Sequence, residues 1–165
     1  ALKVEKGSWM SQLSLNDKNT IYGNGKAKII DFGIFDENGR VSGMILKKSN
    51  FSFKVKVEFY EDIEYPILTY TVKNARGAEI TGTNTMFEKV QIERSGKGDI
   101  CTVTFTQDMN LQGGEYLLSF GCTGYKDGDF TVFHRLYDAC NITVVSSKNT
   151  VGFYDMNSVT TIEKI

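Results

Sequence analysis

Between Phe51 and Tyr60 the chain reads F-S-F-K-V-K-V-E-F-Y, with Phe51, Phe53, Val55, Val57 and Phe59 at every second position and Ser52, Lys54, Lys56 and Glu58 between them. A period of two sends successive side chains to opposite sides of an extended backbone, so this segment is a strand with one face on a core and one in water. The same alternation marks Lys26–Phe35, Ile67–Lys73, Glu79–Thr85, Ile100–Thr106, Glu115–Cys122 and Ala139–Val145. Turn-forming clusters separate them: Asp36 to Gly39, Asn74 to Gly77, Gly96 to Gly98, Gln112 to Gly114 and Lys126 to Gly128. No window of ten residues keeps a helical period, although Thr85–Val90 has room for a single turn. The pattern predicts an all-β chain folded as a β-sandwich of about eight to nine strands.

At 165 residues the chain fits one domain that needs neither disulfides nor a metal to complete its core. We divide it into an N-terminal arm or edge strand (1–21), the sandwich proper (22–147), and a hinge with a C-terminal strand (148–165). The polar break Ser146-Ser147-Lys148-Asn149 precedes renewed alternation at Val159, Thr161 and Glu163, which suits pairing with the same domain or a neighbour. The balance of 19 basic and 20 acidic residues argues against nucleic-acid binding and favours a near-neutral partner. Cys101, Cys122 and Cys140 are odd in number, lack zinc-site spacing and fall in apolar strands, so they are expected reduced and buried, in a cytoplasmic protein. No stretch approaches the ~20 apolar residues of a membrane helix, and no secretory signal is evident. The chain starts at Ala1, which suggests a piece of a longer protein.

Catalytic chemistry finds little support. His134 is the single histidine and no G-x-S-x-G elbow accompanies it. Glu61, Asp62 and Glu64 crowd one loop and read as a solvated turn. Asp127 and Asp129 around Gly128, like Asp36 to Gly39, lack the calcium-loop spacing and read as turns, so neither metal nor cofactor is expected. Binding is the better supported function. Thr69 and Thr71 would form a polar ladder with Thr81 and Thr83 if their strands are neighbours, although such pairs also simply stabilise sheets. Asn84 both donates and accepts, and could serve a ligand or its own loop. Tyr125, His134 and Arg135 are expected at a pocket rim formed by a loop region, with Phe133 packed inward. Trp9 is expected to pack the N-terminal arm.

An ordered set of motifs adds to this: Tyr22 to Ile29, Asp36 to Gly39, Ser49 to Phe59, Pro66, Gly77, T-G-T-N-T at Thr81–Thr85, Leu111-x-x-Gly114-x-Tyr116-x-Leu118-Ser119, and Tyr137-Asp138 before Ile142–Val145. In that order they resemble the C-terminal carbohydrate-binding domain of the ATPase subunit of polysaccharide (O-antigen) ABC exporters of the Wzt type, over roughly Tyr22 to Val145. The resemblance implies an immunoglobulin-like or jelly-roll sandwich that recognises the modified end of a lipid-linked polysaccharide at the inner face of the cell membrane. It also implies a homodimer with exchanged C-terminal strands, working with the exporter's transmembrane subunit and ATP-binding domain. The site residues expected from the readings of strands and loops above are Thr69, Thr71, Thr83, Asn84, Tyr125, His134 and Arg135. The chain carries no G-x-x-x-x-G-K-[ST] run; Ser95-Gly96-Lys97-Gly98 lacks both the first glycine and the hydroxyl position, so this segment is not expected to hydrolyse ATP. Gly121–Leu136 is richer in charge and aromatics than the resemblance leads one to expect. Two other readings stand beside this one: a sandwich that only meets other proteins, and a binding module of an extracellular glycan-active enzyme, the latter requiring disulfides.

Overall fold

The computed structural model describes residues 2–165; Ala1, where the expected N-terminal arm begins, lies outside them. Eleven strands follow one another: β1 (Thr20–Tyr22), β2 (Ala27–Phe35), β3 (Met44–Leu46), β4 (Asn50–Phe59), β5 (Ile63–Glu64), β6 (Ile67–Asn74), β7 (Glu79–Asn84), β8 (Arg94–Ser95), β9 (Ile100–Asp108), β10 (Gly114–Lys126) and β11 (Asp129–Val145). The count exceeds eight or nine because two- and three-residue pairings are too short to show a period. Among the described residues the helical content is one 3-10 turn, Met10–Gln12. At Thr85–Val90 the chain makes a single turn, ended by Lys89 at φ 57°.

Two sheets face each other. The larger runs β1-β11-β10-β6-β7, with β3 also paired to β11, and the smaller runs β2-β4-β9; β5 and β8 form a separate ribbon. The alternating Phe and Val residues of β4 all point inward and are buried, as the sequence pattern demands. Aromatic rings knit the layers together: Phe32 and Phe53 of the smaller sheet lie 5.0 and 6.2 Å from Phe120, and Phe53 and Phe105 lie 4.8 and 5.1 Å from Tyr70. Truncating a ring as deep as Phe53, 1% exposed, would cost about 3–5 kcal/mol.

The region of Tyr125, His134 and Arg135, expected as a loop, is instead the tip half of the β10–β11 hairpin, turned at Lys126 to Asp129. The Asp127-Gly128 dipeptide supplies it with two positive-φ residues, at 53° and 83°. Register shifts between Leu118 and Phe120 and between Cys122 and Thr123 blur the alternation there, which hid the strand in the sequence.

The N-terminal segment packs on the smaller sheet. Buried Asp31 accepts the backbone N–H groups of Trp9 and Met10 at 2.9 and 3.0 Å, while Trp9 meets Phe35 edge-on and lies under the Lys56 ammonium. At the other terminus, buried Lys47 donates from Nζ to Asp155 Oδ2 at 2.8 Å, Gln112 Oε1 at 3.0 Å and the Lys148 carbonyl at 2.8 Å. The Lys47 ammonium and the Asn157 N–H hold the Asp155 carboxyl well below the usual carboxylate range. Beyond Asp155 no strand forms, and Met156, Val159 and Ile162 are more than 80% exposed.

Candidate functional site

The outward side of the larger sheet carries a polar row set by strand register. Tyr22, Arg135, Gly121, Thr69 and Asn84 stand side by side on β1, β11, β10, β6 and β7. The next row holds Ser119, Thr71 and Gly82, with Tyr137 beside Ser119 on β11, and the third pairs Lys73 with Glu79. With neighbouring strands ~4.8 Å apart, Arg135 and Asn84 stand about 14 Å apart at their Cα atoms. Gly121 and Gly82 bring no side chains to this face, so two adjoining depressions form. One of about 250 Å³ is bordered by Thr69, Thr71, Ser119, Arg135 and Tyr137; the other, of about 350 Å³, by Thr71, Gly82, Asn84 and Phe87.

The polar groups are partly committed to each other. Arg135 Nη1 donates to the Tyr137 hydroxyl at 3.2 Å, and its side chain lies over the Tyr137 ring. Lys73 is paired with Asp138 at 3.2 Å. Asn84 Oδ1 accepts the Phe87 N–H at 2.7 Å, which fixes the turn and leaves the amide NH2 as a donor. Phe87, 68% exposed, offers a ring at the Asn84 end. The arrangement can hold hydroxyl-rich molecules through amide, hydroxyl and guanidinium groups and present Tyr137 and Phe87 to C–H surfaces. Among the described residues, no group of His, Cys, Asp and Glu is placed to hold a metal ion.

Of the residues expected at the site, Thr69, Thr71, Asn84 and Arg135 share this face. Thr83 and Thr81 do not join their ladder. The register sets Thr69 and Thr71 opposite Asn84 and Gly82, and Thr81 and Thr83 opposite the inward Val72 and Tyr70, so the two threonine pairs occupy opposite faces. Thr83 lines the second depression from that side and donates its hydroxyl to Glu88 at 3.0 Å. His134 is not at a rim. It points inward from β11, is 9% exposed, and accepts the Ile29 N–H at Nδ1 over 2.9 Å, tying the two sheets together. Burial, helped by Lys28, pushes its pKa down. Tyr125 sits at the hairpin tip against Phe130 and borders a separate apolar cleft with Tyr65, Met86 and Val90. Tyr137, Ser119, Lys73 and Phe87 were missed as site residues, although outward alternation along β10 and β11 was a signal for the first two.

The acidic run is only partly a turn: Glu61 and Asp62 precede β5, whereas Glu64 lies on β5 opposite Arg94. Asp62 accepts the Lys97 N–H and pairs with Arg94, which lowers its pKa. The three cysteines are unbridged, and burial pushes the Cys122 and Cys140 thiols up to about 12. No described helix is long and apolar enough to cross a membrane.

No curated protein matches the chain. Among solved structures, the crystal structure of the C-terminal domain of Wzt is similar over 99% of both chains, with 26% identity and a TM-score of 0.86. The CARDB domain of PF1109 from Pyrococcus furiosus (11% identity, 70% of this chain and 88% of that one) and a β-glucosidase from Listeria innocua (12%, 76% and 17%) reach TM-scores of only 0.41, too low to inform the fold or the function. The Wzt C-terminal domain family model matches residues 18–156. With that match, the near-complete structural likeness and the sandwich described above, the chain belongs to the Wzt C-terminal domain family, a domain of the ATPase subunit of ABC exporters.

Proposed function

We propose that this domain binds the terminal part of a polysaccharide, without altering it, on the outward face of the larger sheet, and so presents that polysaccharide for export. The observation that carries this reading is the side-chain-free floor at Gly121 and Gly82, bordered by Arg135, Thr69, Thr71, Asn84 and Tyr137. A row of hydroxyl, amide and guanidinium groups on rigid strands suits sugar hydroxyls, and its length suits a short oligosaccharide. His134 and Tyr125 are left out of the site. The partners in this reading are the ATP-binding domain and transmembrane subunit of the exporter, and the location is the cytoplasmic side of the cell membrane.

The second part of the proposal is a homodimer built by exchange of residues 156–165. Two observations support it: the exposed apolar side chains of that tail, and an open side of the sandwich between the unpaired edges of β7 and β9. That opening, of about 540 Å³, is lined by Phe51, Val72, Ile80 and Met109. Two sites on one particle would raise apparent affinity through effective concentration.

The test is titration of a panel of bacterial polysaccharides, with and without terminal modifications, against the native protein and Gly121→Val. Binding that the variant loses supports the reading. No binding by any polysaccharide at millimolar sugar concentration overturns it in favour of a purely protein-interacting module.

A further inference from the structure

The sequence balance points to a neutral ligand, but the charges at the groove are unevenly paired. Three charged side chains border its first depression: Arg135, Lys73 and Glu79. Lys73 is neutralised by Asp138. Glu79 borders the same depression from β7, facing Lys73, and makes no ion pair with Arg135 among the described residues. Arg135 makes no ion pair among the described residues; it donates to the neutral Tyr137 hydroxyl, which uses one of five N–H donors. The half-buried Arg135 side chain is held over Tyr137 and lies against Gly121, which is itself buried; an added Cβ there would lie 3.5 Å from Arg135 Nε.

Resting on the glycan-binding reading of this face, we propose that the sugar seated over Gly121 carries an acidic group, a carboxylate or a phosphate ester, and that Arg135 receives it. A planar guanidinium with free donors matches two oxygens of either group with parallel hydrogen bonds, and these charge-assisted bonds are about twice as strong as neutral ones. Thr69 and Ser119 lie on the same floor to accept or donate to ring hydroxyls.

Three probes test this by ligand-observed and protein-observed NMR on the intact domain: D-glucuronate, glucose 6-phosphate and D-glucose. The expected result is that at least one acid binds about tenfold more tightly than glucose. It shifts the Arg135 Nε–H resonance and weakens as salt is raised. Which acid responds separates carboxylate from phosphate. Arg135→Gln abolishes the preference, and Arg135→Lys keeps only part of it, because an ammonium cannot match two oxygens at once. Glucose binding as well as both acids, with the ratio unmoved in Arg135→Gln and binding blocked in Gly121→Val, overturns the acidic ligand and leaves the glycan site standing. Absence of binding by all three, while a polysaccharide binds the native domain and is lost in Gly121→Val, overturns the acidic ligand alone; absence of binding by any polysaccharide overturns both.

Discussion

Gly121→Ala separates the groove's shape from the fold's stability. At this position on β10 an added Cβ meets Arg135 Nε at 3.5 Å, Arg135 Cγ at 3.9 Å and Thr69 Cβ at 3.9 Å, all ordinary van der Waals distances. Its φ lies outside the left-handed region, so alanine fits without strain. Glycine inside a strand is about 0.5–1 kcal/mol less favourable than alanine, so the variant should unfold at equal or slightly higher urea concentration. The same methyl raises the groove floor between Arg135 and Thr69. A sugar resting there moves out of the 2.7–3.2 Å range that hydrogen bonds require. Losing one or two such bonds, at about 1 kcal/mol each, weakens binding roughly 5- to 30-fold, and Gly121→Val should abolish it. The assay pairs urea unfolding with calorimetric titration of whichever polysaccharide the native domain binds. Native affinity in a stable Gly121→Val protein would refute the placement of the sugar.

Gly82→Ala behaves in the opposite way. Its Cβ would stand 2.6 Å from the Tyr70 carbonyl oxygen, so β7 must shift off β6 and the unfolding midpoint falls. The lowered His134 pKa means that the folded state binds fewer protons than the unfolded chain below pH ~6.5. Stability from this residue is therefore complete above that pH and declines as pH falls from there towards the folded value. His134→Asn, whose carbonyl can accept the Ile29 N–H, should flatten that slope in unfolding curves between pH 7 and 5. Lys47→Met strips Asp155 of its buried partner and should lower the urea midpoint by more than loss of an exposed pair such as Arg94–Asp62 does, with Lys47→Met/Asp155→Leu recovering most of it. Thiol-reactive reagents should label half-buried Cys101 first and reach Cys122 and Cys140 only on unfolding, by mass spectrometry over time. Removing residues 156–165 should lower the solution mass measured by light scattering; an unchanged mass would remove tail exchange from the proposal.

The strands of the sandwich were readable wherever one face is buried and the other wet, as in β4, because burial imposes the period. The tip of the β10–β11 hairpin was not, because two register shifts interrupt the period and His134 points into the core although it is polar. Half of the groove was legible as outward threonines and Asn84. Its floor was not, because Gly121 and Gly82 matter through what they leave empty, and a sequence does not announce which glycine faces a ligand. Thr81 and Thr83 were misplaced for a simpler reason: pairing strands is not the same as knowing their register, and one residue of slip moves every side chain to the other face. The Lys47–Gln112–Asp155 cluster joins residues up to 108 positions apart and leaves no local pattern at all.

The groove is written on continuous strands, with its walls and floor contributed by β6, β7, β10 and β11. Lengthening a surface connection other than the turn that carries Phe87 would barely touch it, whereas exchanging a single outward residue re-cuts the imprint while its inward neighbours keep the layers stacked. On the binding role proposed for this face, a different ligand could thus be met by swapping letters at positions 69, 71, 84, 119, 121, 135 and 137, on an otherwise unaltered scaffold.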